Sequence, residues 1–392
     1  MRQLRFYLFA FLMLSTSVFS SEEKKTVCLN MIVKNESKVI RRSLASAKPL
    51  IDYWVIVDTG STDGTQEIIQ EFMKDIPGEL YQSPWFNFEY NRNEALHYAQ
   101  GKADYLLFID ADEEFILDEG FVMPDLDKDL YFITTEYGGT RYERSQLVKS
   151  DLDWKWVGVL HEVIDSPQVR SREILRGVIN FVRSEGFRSQ DPQKFHKDAK
   201  VLEEALEKDP QNSRYVFYLA QSYRDAGELE KSLENYQKRV KMGGWGQELF
   251  WSKYQIAQLK ERLEAPAEEV IKSYSEAFSY RPSRSEPLCH LSRYLRIKGE
   301  NLLGYLVAGH GLEIPLSDDL LFVERWIYDY GLLIEMSVCA YWIGKYEECL
   351  ALSERILEIP NIPDHVKQCA ESNREWAMAK LSPNSMGEFT QQ

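Results

Sequence analysis

The chain has 392 residues, enough for two or three domains with cores of their own, and an apolar share of 44% that suits a globular fold. Its net charge of −15 argues against a nucleic-acid binder and against docking on anionic lipid through a basic face. The five cysteines are odd in number, sparse and without metal-ligand spacing, so most of them should be small buried hydrophobes.

The chain opens on Met1-Arg-Gln-Leu-Arg5, which is basic, followed by a largely apolar run from Phe6 to Phe19 and a small residue, Ser20, ahead of Ser21-Glu-Glu. This layout predicts an export leader over residues 1–20, and hence a periplasmic or secreted protein, or a membrane-tethered one if the leader stays uncleaved. A misassigned start codon would leave it cytoplasmic.

From Thr26 to about Phe181 strands and helices are expected to alternate. Thr26–Val33 reads as a buried strand and Glu36–Ala47 as a helix with Val39, Ile40, Leu44 and Ala47 on its apolar stripe. Val55–Val57 is the second strand, Thr65–Met73 the second helix, Asn91–Gln100 the third helix and Leu106–Ile109 the next strand. Continuous apolar runs suit strands covered on both faces, so the order implies a doubly wound, mostly parallel α/β sheet in a domain over residues 26–190.

Beyond Asp191-Pro192 the pattern becomes one of amphipathic helices. Small residues at Ala220, Ala257, Ser292 and Ser337 recur after 37, 35 and 45 residues, the last gap stretched by a loop around Pro315–Asp319. Helix-turn-helix repeats of about 34 residues place a small residue where helices cross. The expectation is an all-α tetratricopeptide-like solenoid over residues 195–381, with Asp364–Leu381 as capping helix and a disordered tail over residues 382–392.

Chemistry gathers at two strand ends. Val55-Ile-Val-Asp58 runs into Thr-Gly-Ser-Thr-Asp63-Gly-Thr65, and Leu106–Ile109 stops on Asp110-Ala-Asp112. Ligands of open α/β sheets bind outside the carboxyl ends of the strands, so both clusters should face one crevice. Two carboxylates two apart suit a hard cation held together with substrate phosphates. Asp58 could accept from a base edge or a ribose. The bland alternative is a strand-turn-helix junction capped by Asp63 or Thr65.

At these residues the chain resembles the family 2 glycosyltransferases with a GT-A fold. The matching blocks are Met31-Ile-Val-Lys-Asn35-Glu36, Val57–Thr65, Asn91-Arg92-Asn93-Glu-Ala-Leu96 and Phe108-Ile-Asp110-Ala-Asp112-Glu113. The resemblance implies a nucleotide-sugar donor, with UDP the expected nucleotide, held by Asn35, Asp58, Asp63, Arg92, Asn93 and Asp110. It also implies a Mn²⁺ or Mg²⁺ ion on Asp112 and displacement with inversion. Thr59 stands where many members carry a second Asp, which leaves base contact to Asp58. Gly158-Val-Leu-His161-Glu162 resembles a Gly-x-x-His-Glu segment of one branch, which would make His161 a further metal ligand and Glu162, with Asp110, catalytic. Read without the resemblance, Val157, Val159, His161 and Val163 share one face of a core strand, with Glu162 on the other. Asn35-Glu-Ser37 is also a glycosylation acceptor pattern inside the donor segment.

The reading is a metal-dependent glycosyltransferase whose solenoid holds a polypeptide or saccharide acceptor. The competing one is an idle α/β scaffold carrying a solenoid that grips a polypeptide.

Overall fold

The computed structural model describes residues 24–382; the leader expected over residues 1–20 and the tail expected beyond Ser382 lie outside them. The first half of the N-terminal domain alternates as expected, with one strand, β3, that the sequence reading did not include: β1 (Val27–Val33), α1 (Ile40–Ala47), β2 (Tyr53–Asp58), α2 (Thr65–Phe72), β3 (Gly78–Gln82), α3 (Phe88–Ala99) and β4 (Tyr105–Phe108). Side chains alternate across a strand, and the two faces find different cover. Leu29, Met31, Val33 and Ile56 pack with Ile40, Leu44 and Ile69 of α1 and α2. Cys28, Val55, Leu106 and Phe108 pack with Leu96 and Ala99 of α3. That double cover explains the continuous apolar runs.

Helix α1 starts at Ile40, four residues later than the expected Glu36. Asn35 sits at φ +56°, a left-handed conformation that Asn adopts at little cost, and the next amides along the chain are drawn out of the helix. Glu36 N donates to Thr65 Oγ1 at 2.9 Å and Ser37 N to Asp63 Oδ2 at 3.0 Å, tying the turn to the loop after β2.

The alternation stops at β4, short of the expected Phe181. The chain continues as β5 (Glu113–Leu117), β6 (Leu130–Tyr137), β7 (Thr140–Lys149), a small hairpin of β8 (Lys155–Val157) and β9 (Val163–Asp165), and β10 (Arg172–Val182). The main sheet runs β3–β2–β1–β4–β7–β6–β10–β5. Strands β3, β2, β1 and β4 are mutually parallel, and β7 turns the sheet antiparallel against both β4 and β6. The carboxyl ends of β1, β2 and β4 therefore open on one edge. The core strand expected through Val157, Val159, His161 and Val163 is instead the β8–β9 hairpin. Val157 pairs with Val163, which puts His161 and Glu162 in its turn.

After a short 3-10 turn at Phe187–Gln190 the chain becomes helical: α4 (Lys194–Lys208), α5 (Ser213–Asp225), α6 (Leu229–Met242), α7 (Gly246–Arg262), α8 (Ala267–Tyr280), α9 (Glu286–Ile297) and α10 (Asn301–Leu312). Consecutive helices pack as hairpins. Ala220, Ala257, Ser292 and Ser337 are fully buried on alternate helices, as the repeat requires. The contact is tight: a Cβ on Gly304 of α10 would lie 2.9 Å from Cys339 Sγ and 3.1 Å from Ser292 O. Beyond α10 comes the stretched loop, where β11 (Val323–Glu324) pairs antiparallel with β7. The chain ends in α11 (Leu332–Trp342), entered through a π-helical turn, α12 (Tyr346–Leu357) and the capping helix α13 (Asp364–Leu381).

The loop between α10 and α11 is more than a lengthened connection. It straps the solenoid to the sheet: Glu143 N of β7 donates to Leu320 O at 2.8 Å, and Leu321 and Phe322 join the core of α5 and α7. All five cysteines are free, four of them buried. Among the described residues no helix is long and apolar enough to cross a membrane.

Candidate active site at the carboxyl ends of the parallel strands

A cleft of about 1540 Å³ lies between this edge of the sheet and the first solenoid helices. Its lining includes Arg92, Asp110, Asp112, His161 and Glu162 from the α/β domain and Arg214, Tyr218 and Gln221 from α5.

Asp58 ends β2 and is almost wholly buried. Its Oδ1 accepts from Gly60 N (3.0 Å), Ser61 N (2.8 Å) and Gln66 Nε2 (2.9 Å). Gly60 supplies the positive φ that this turn needs. Asp58 Oδ2 is buried without a partner; Asp58 itself does not line the cleft, but the next residue, Thr59, does. Asn35 and Asp63 brace the same turn. Asn35 Oδ1 accepts from Thr62 N at 2.8 Å, and Asp63 Oδ1 accepts from Thr65 N and Oγ1 at 3.2 and 2.6 Å. Burial alone would raise the Asp63 carboxyl, but the bonds from Thr65 and Ser37 outweigh it and hold it below its ordinary value.

Asp110 is pinned by two guanidiniums, Arg92 Nη2 at 2.6 Å and Arg144 Nη2 at 3.4 Å. Burial works to raise its carboxyl, yet Arg92 and Arg144 hold it down to about 2. Arg144 also grips Glu113, which takes Asn180 Nδ2 at 2.9 Å and Asp110 N at 3.1 Å, while Glu114 pairs with Arg183 at 2.8 Å. Asp112 differs from these neighbours. Among the described residues it has no ion-pair partner, and its Oδ2 accepts from Gly186 N at 3.2 Å. Nearby Glu36 accepts from Phe187 N, and burial pushes its carboxyl up to about 7, with Asp112, Asp63 and Asp110 adding to the rise.

Arg92 reaches Asp110 from α3 and lies 4.9 Å from the Trp156 ring centroid. Its neighbour Asn93 faces the hairpin: Nδ2 donates to Glu89 O and Trp156 O, both at 2.8 Å, and Oδ1 accepts from Trp156 N at 2.9 Å. Asn93 thus fixes β8, and through it the His161–Glu162 turn. Glu162 Oε2 stands 3.5 Å from Arg92 Nε, and Glu162 Oε1 is buried without a partner. Burial raises its carboxyl above the ordinary range, with Arg92 pulling the other way.

His161 adopts φ +52°, a strained conformation held from the solenoid side. Its ring stacks on Tyr218 at 4.0 Å and 10°, and its carbonyl accepts from Arg214 Nη2 at 2.8 Å. His161 stays open to the cleft, yet the protein packed around it, with Arg214, Arg188, Lys194 and Arg144 adding, lowers its pKa below the ordinary value. The imidazole is therefore neutral, the form that ligates metals. Among the described residues no three His, Cys, Asp or Glu side chains stand close enough to hold a metal by themselves.

Residues 28–119 match the profile of Glycosyl transferase family 2, a span that runs from β1 to β5 and holds Glu36, Asp58, Asp63, Asp110 and Asp112 but not His161 or Glu162. The N-terminal domain carries a family 2 glycosyl transferase segment. Over 243 residues the chain is 26% identical to the SPbeta prophage-derived glycosyltransferase SunS of Bacillus subtilis, covering 56% of each protein. A TPR repeat-containing protein of Synechococcus elongatus is 34% identical over 148 residues, 36% of this chain and 35% of that one. The chain spans about half the length of the curated glycosyltransferase relative it matches, and less of the second. Among solved structures, a tetratricopeptide repeat protein from Parabacteroides merdae covers 48% of this chain and 71% of its own, at 14% identity and a TM-score of 0.38.

Sequence reading missed Arg144, Tyr218, Arg214 and the part played by Glu36. Glu36 closes one of the family 2 blocks and so carried a signal. The other three sit on β7 and α5, far along the chain, and only the tertiary fold brings them to the acids.

Proposed function

We propose that this protein is a metal-dependent glycosyltransferase that moves a sugar from a UDP-sugar donor, with inversion, to an acceptor held on the solenoid side of the cleft. The observation that carries this reading is the contrast at the end of β4: Asp110, Glu113 and Glu114 are each locked to a guanidinium, while Asp112, among the described residues, has none. A carboxylate and a neutral imidazole opening on one cleft make a donor set that fits Mn²⁺ or Mg²⁺, with substrate phosphates and water filling the remaining positions. Asp112 and His161 would hold the ion, which when bound supplies Lewis-acid stabilisation of the departing nucleoside diphosphate.

The protein's own groups do the rest. The unpartnered oxygen of Asp58 can accept from the base, and Asp110, kept ionised and oriented by Arg92 and Arg144, can accept from the ribose. Glu162 is the base. Its raised carboxyl and free oxygen suit it to take the proton from the acceptor hydroxyl or thiol as that atom attacks the anomeric carbon and the bond to the diphosphate breaks. Positioning two substrates in one enclosed cleft supplies much of the remaining acceleration.

A screen of UDP-sugars with Mn²⁺, reading donor hydrolysis and transfer, tests this. Hydrolysis of one donor that disappears in Asp112→Asn supports the reading. A folded protein that consumes none of them contradicts it.

A further inference from the structure

The residues of the site are anchored from two sides. Asp110 and Glu113 are gripped by Arg92 and Arg144, all within the α/β domain. Asp112, Glu36 and His161 are held instead by chain beyond β10. The junction between sheet and solenoid lays two successive amides on the acids: Gly186 N donates to Asp112 Oδ2 at 3.2 Å and Phe187 N to Glu36 Oε2 at 3.1 Å. Gly186 has φ −63°, which any residue adopts, so the glycine answers to space rather than to conformation. A Cβ there would stand 2.8 Å from Asp112 Oδ2. Two residues on, Arg188 fastens the junction, pairing with Asp198 of α4 and lying 4.7 Å from the Phe88 ring centroid of α3.

The His161–Glu162 turn leans on the solenoid still more. Asn93 fixes the base of its hairpin at Trp156, but the tip is seated elsewhere. Leu160 is 4% exposed and belongs to the solenoid core with Ala199, Leu202 and Tyr218. His161, next in the chain, lays its ring on Tyr218 and its carbonyl on Arg214, whose guanidinium lies 4.8 Å from the centroid of that same Tyr218 ring. A non-glycine residue in the left-handed region persists where its surroundings over-determine it. For His161 those surroundings are α5.

We infer that Arg214 and Tyr218 of α5, with Gly186 of the junction, are positioning residues for the metal and diphosphate site, which is assembled across the domain boundary and complete only with the solenoid docked. This rests on the glycosyltransferase reading above and deepens it: the solenoid serves the donor half of the reaction, before any acceptor is present. The three act through the groups they touch. Arg214 and the Tyr218 ring hold the imidazole at one angle to the cleft, and Gly186 N fixes the plane of the Asp112 carboxylate. A metal site depends on such partners because they settle the orientation of its ligands before the ion arrives.

EPR titration of Mn²⁺ into the full chain with UDP, against a UDP blank, reads ion binding apart from turnover. Arg214→Met should weaken Mn²⁺ binding about tenfold, as loss of an orienting partner does. The sign is decisive, since an arginine that was no more than a nearby cation would repel the ion and its removal would tighten binding. Tyr218→Leu should weaken binding in the same way, while Tyr218→Phe, which keeps the stacked ring, should bind as the wild type does. Gly186→Ala should weaken it through contact with Asp112. Melting curves check that each variant folds; the Arg214 side chain is 31% exposed, so its replacement spares the core. Unchanged or tighter binding in folded Arg214→Met or Gly186→Ala, or Tyr218→Phe as weak as Tyr218→Leu, overturns the inference while the glycosyltransferase reading stands. Failure of that reading looks different and takes the inference with it: the wild-type chain then binds no Mn²⁺ beyond the UDP blank and consumes no UDP-sugar.

Discussion

Arg92 in the cleft and Arg284, which holds the strap from the loop between α8 and α9, are both buried guanidiniums flanked by carboxylates, yet their hydrogen bonding ends differently. Arg284 is fully enclosed. Its Nε and Nη2 donate to Glu286, its Nη1 to Asp319 Oδ2 at 2.9 Å, and its remaining capacity goes to the carbonyls of Leu321 and Phe322. Tyr328 OH donates to Glu286 Oε2 at 2.9 Å, closing the network. Around Arg92 the network stays open: Arg92 Nε and Glu162 Oε1 are buried without hydrogen-bond partners. A closed network fixes the strap that docks the solenoid on β7. An open one, lining a cleft, keeps polar groups available to a ligand, at a cost in stability that binding offsets.

The largest expected effect tests that division. Arg284→Met leaves Glu286 buried without its cation and should destabilise the chain by about 3–5 kcal/mol in urea unfolding. Arg92→Met removes a guanidinium that is only partly satisfied, so its stability loss should be clearly smaller, while donor hydrolysis collapses. Equal stability losses would erase the distinction between the two networks. Asp112→Asn comes next: keeping size but removing the unpaired charge should cost about 2–4 kcal/mol of transition-state stabilisation in kcat/KM, with the melting temperature nearly unchanged.

His161→Ala should raise the Mn²⁺ concentration for half-maximal donor hydrolysis by about 10–100-fold, and excess Mn²⁺ should partly restore the rate. A lowered melting temperature with an unchanged metal titration would make His161 a packing residue against Tyr218 and nothing more. The smallest effect belongs to the strap. Burial, reinforced by Glu286, lifts the Glu324 carboxyl from 4.5 to about 7. The folded state then holds a proton that the unfolded chain releases, so this group's contribution to stability falls as pH rises from about 4.5 to 7 and is level above. Glu324→Gln should remove that slope, so the variant gains on the wild-type chain at pH 7.5 and gains little at pH 4.5 in urea unfolding.

The parallel half of the sheet was legible because strands covered on both faces leave uninterrupted apolar runs, and because Asp58 and Asp110 cut those runs short. The solenoid was legible through Ala220, Ala257, Ser292 and Ser337, since helix crossings tolerate little more than a small side chain. Two things were hidden. Strands β5 to β10 lack the long apolar runs of the parallel strands, and their pairings are set by partners distant in sequence. The strap around Asp319–Glu324 showed in the sequence only as a stretched repeat, because its meaning lies in contacts with β7 and with Arg284. The His161–Glu162 segment has a period of two like a strand, but Gly158 at φ +122° and the pairing of Val157 with Val163 turn it into a hairpin tip. That tip places both residues in the cleft, where a regular strand would have set them on opposite faces.

The central claim is that the acids at the ends of β2 and β4 bind a metal-complexed nucleoside diphosphate. Calorimetric titration of UDP into the full chain, with and without Mn²⁺, addresses it directly. The account predicts saturable heat that needs Mn²⁺ and is lost in folded Asp112→Asn. An absence of heat in the folded wild-type chain with Mn²⁺ present, or equal binding by the variant, would contradict it.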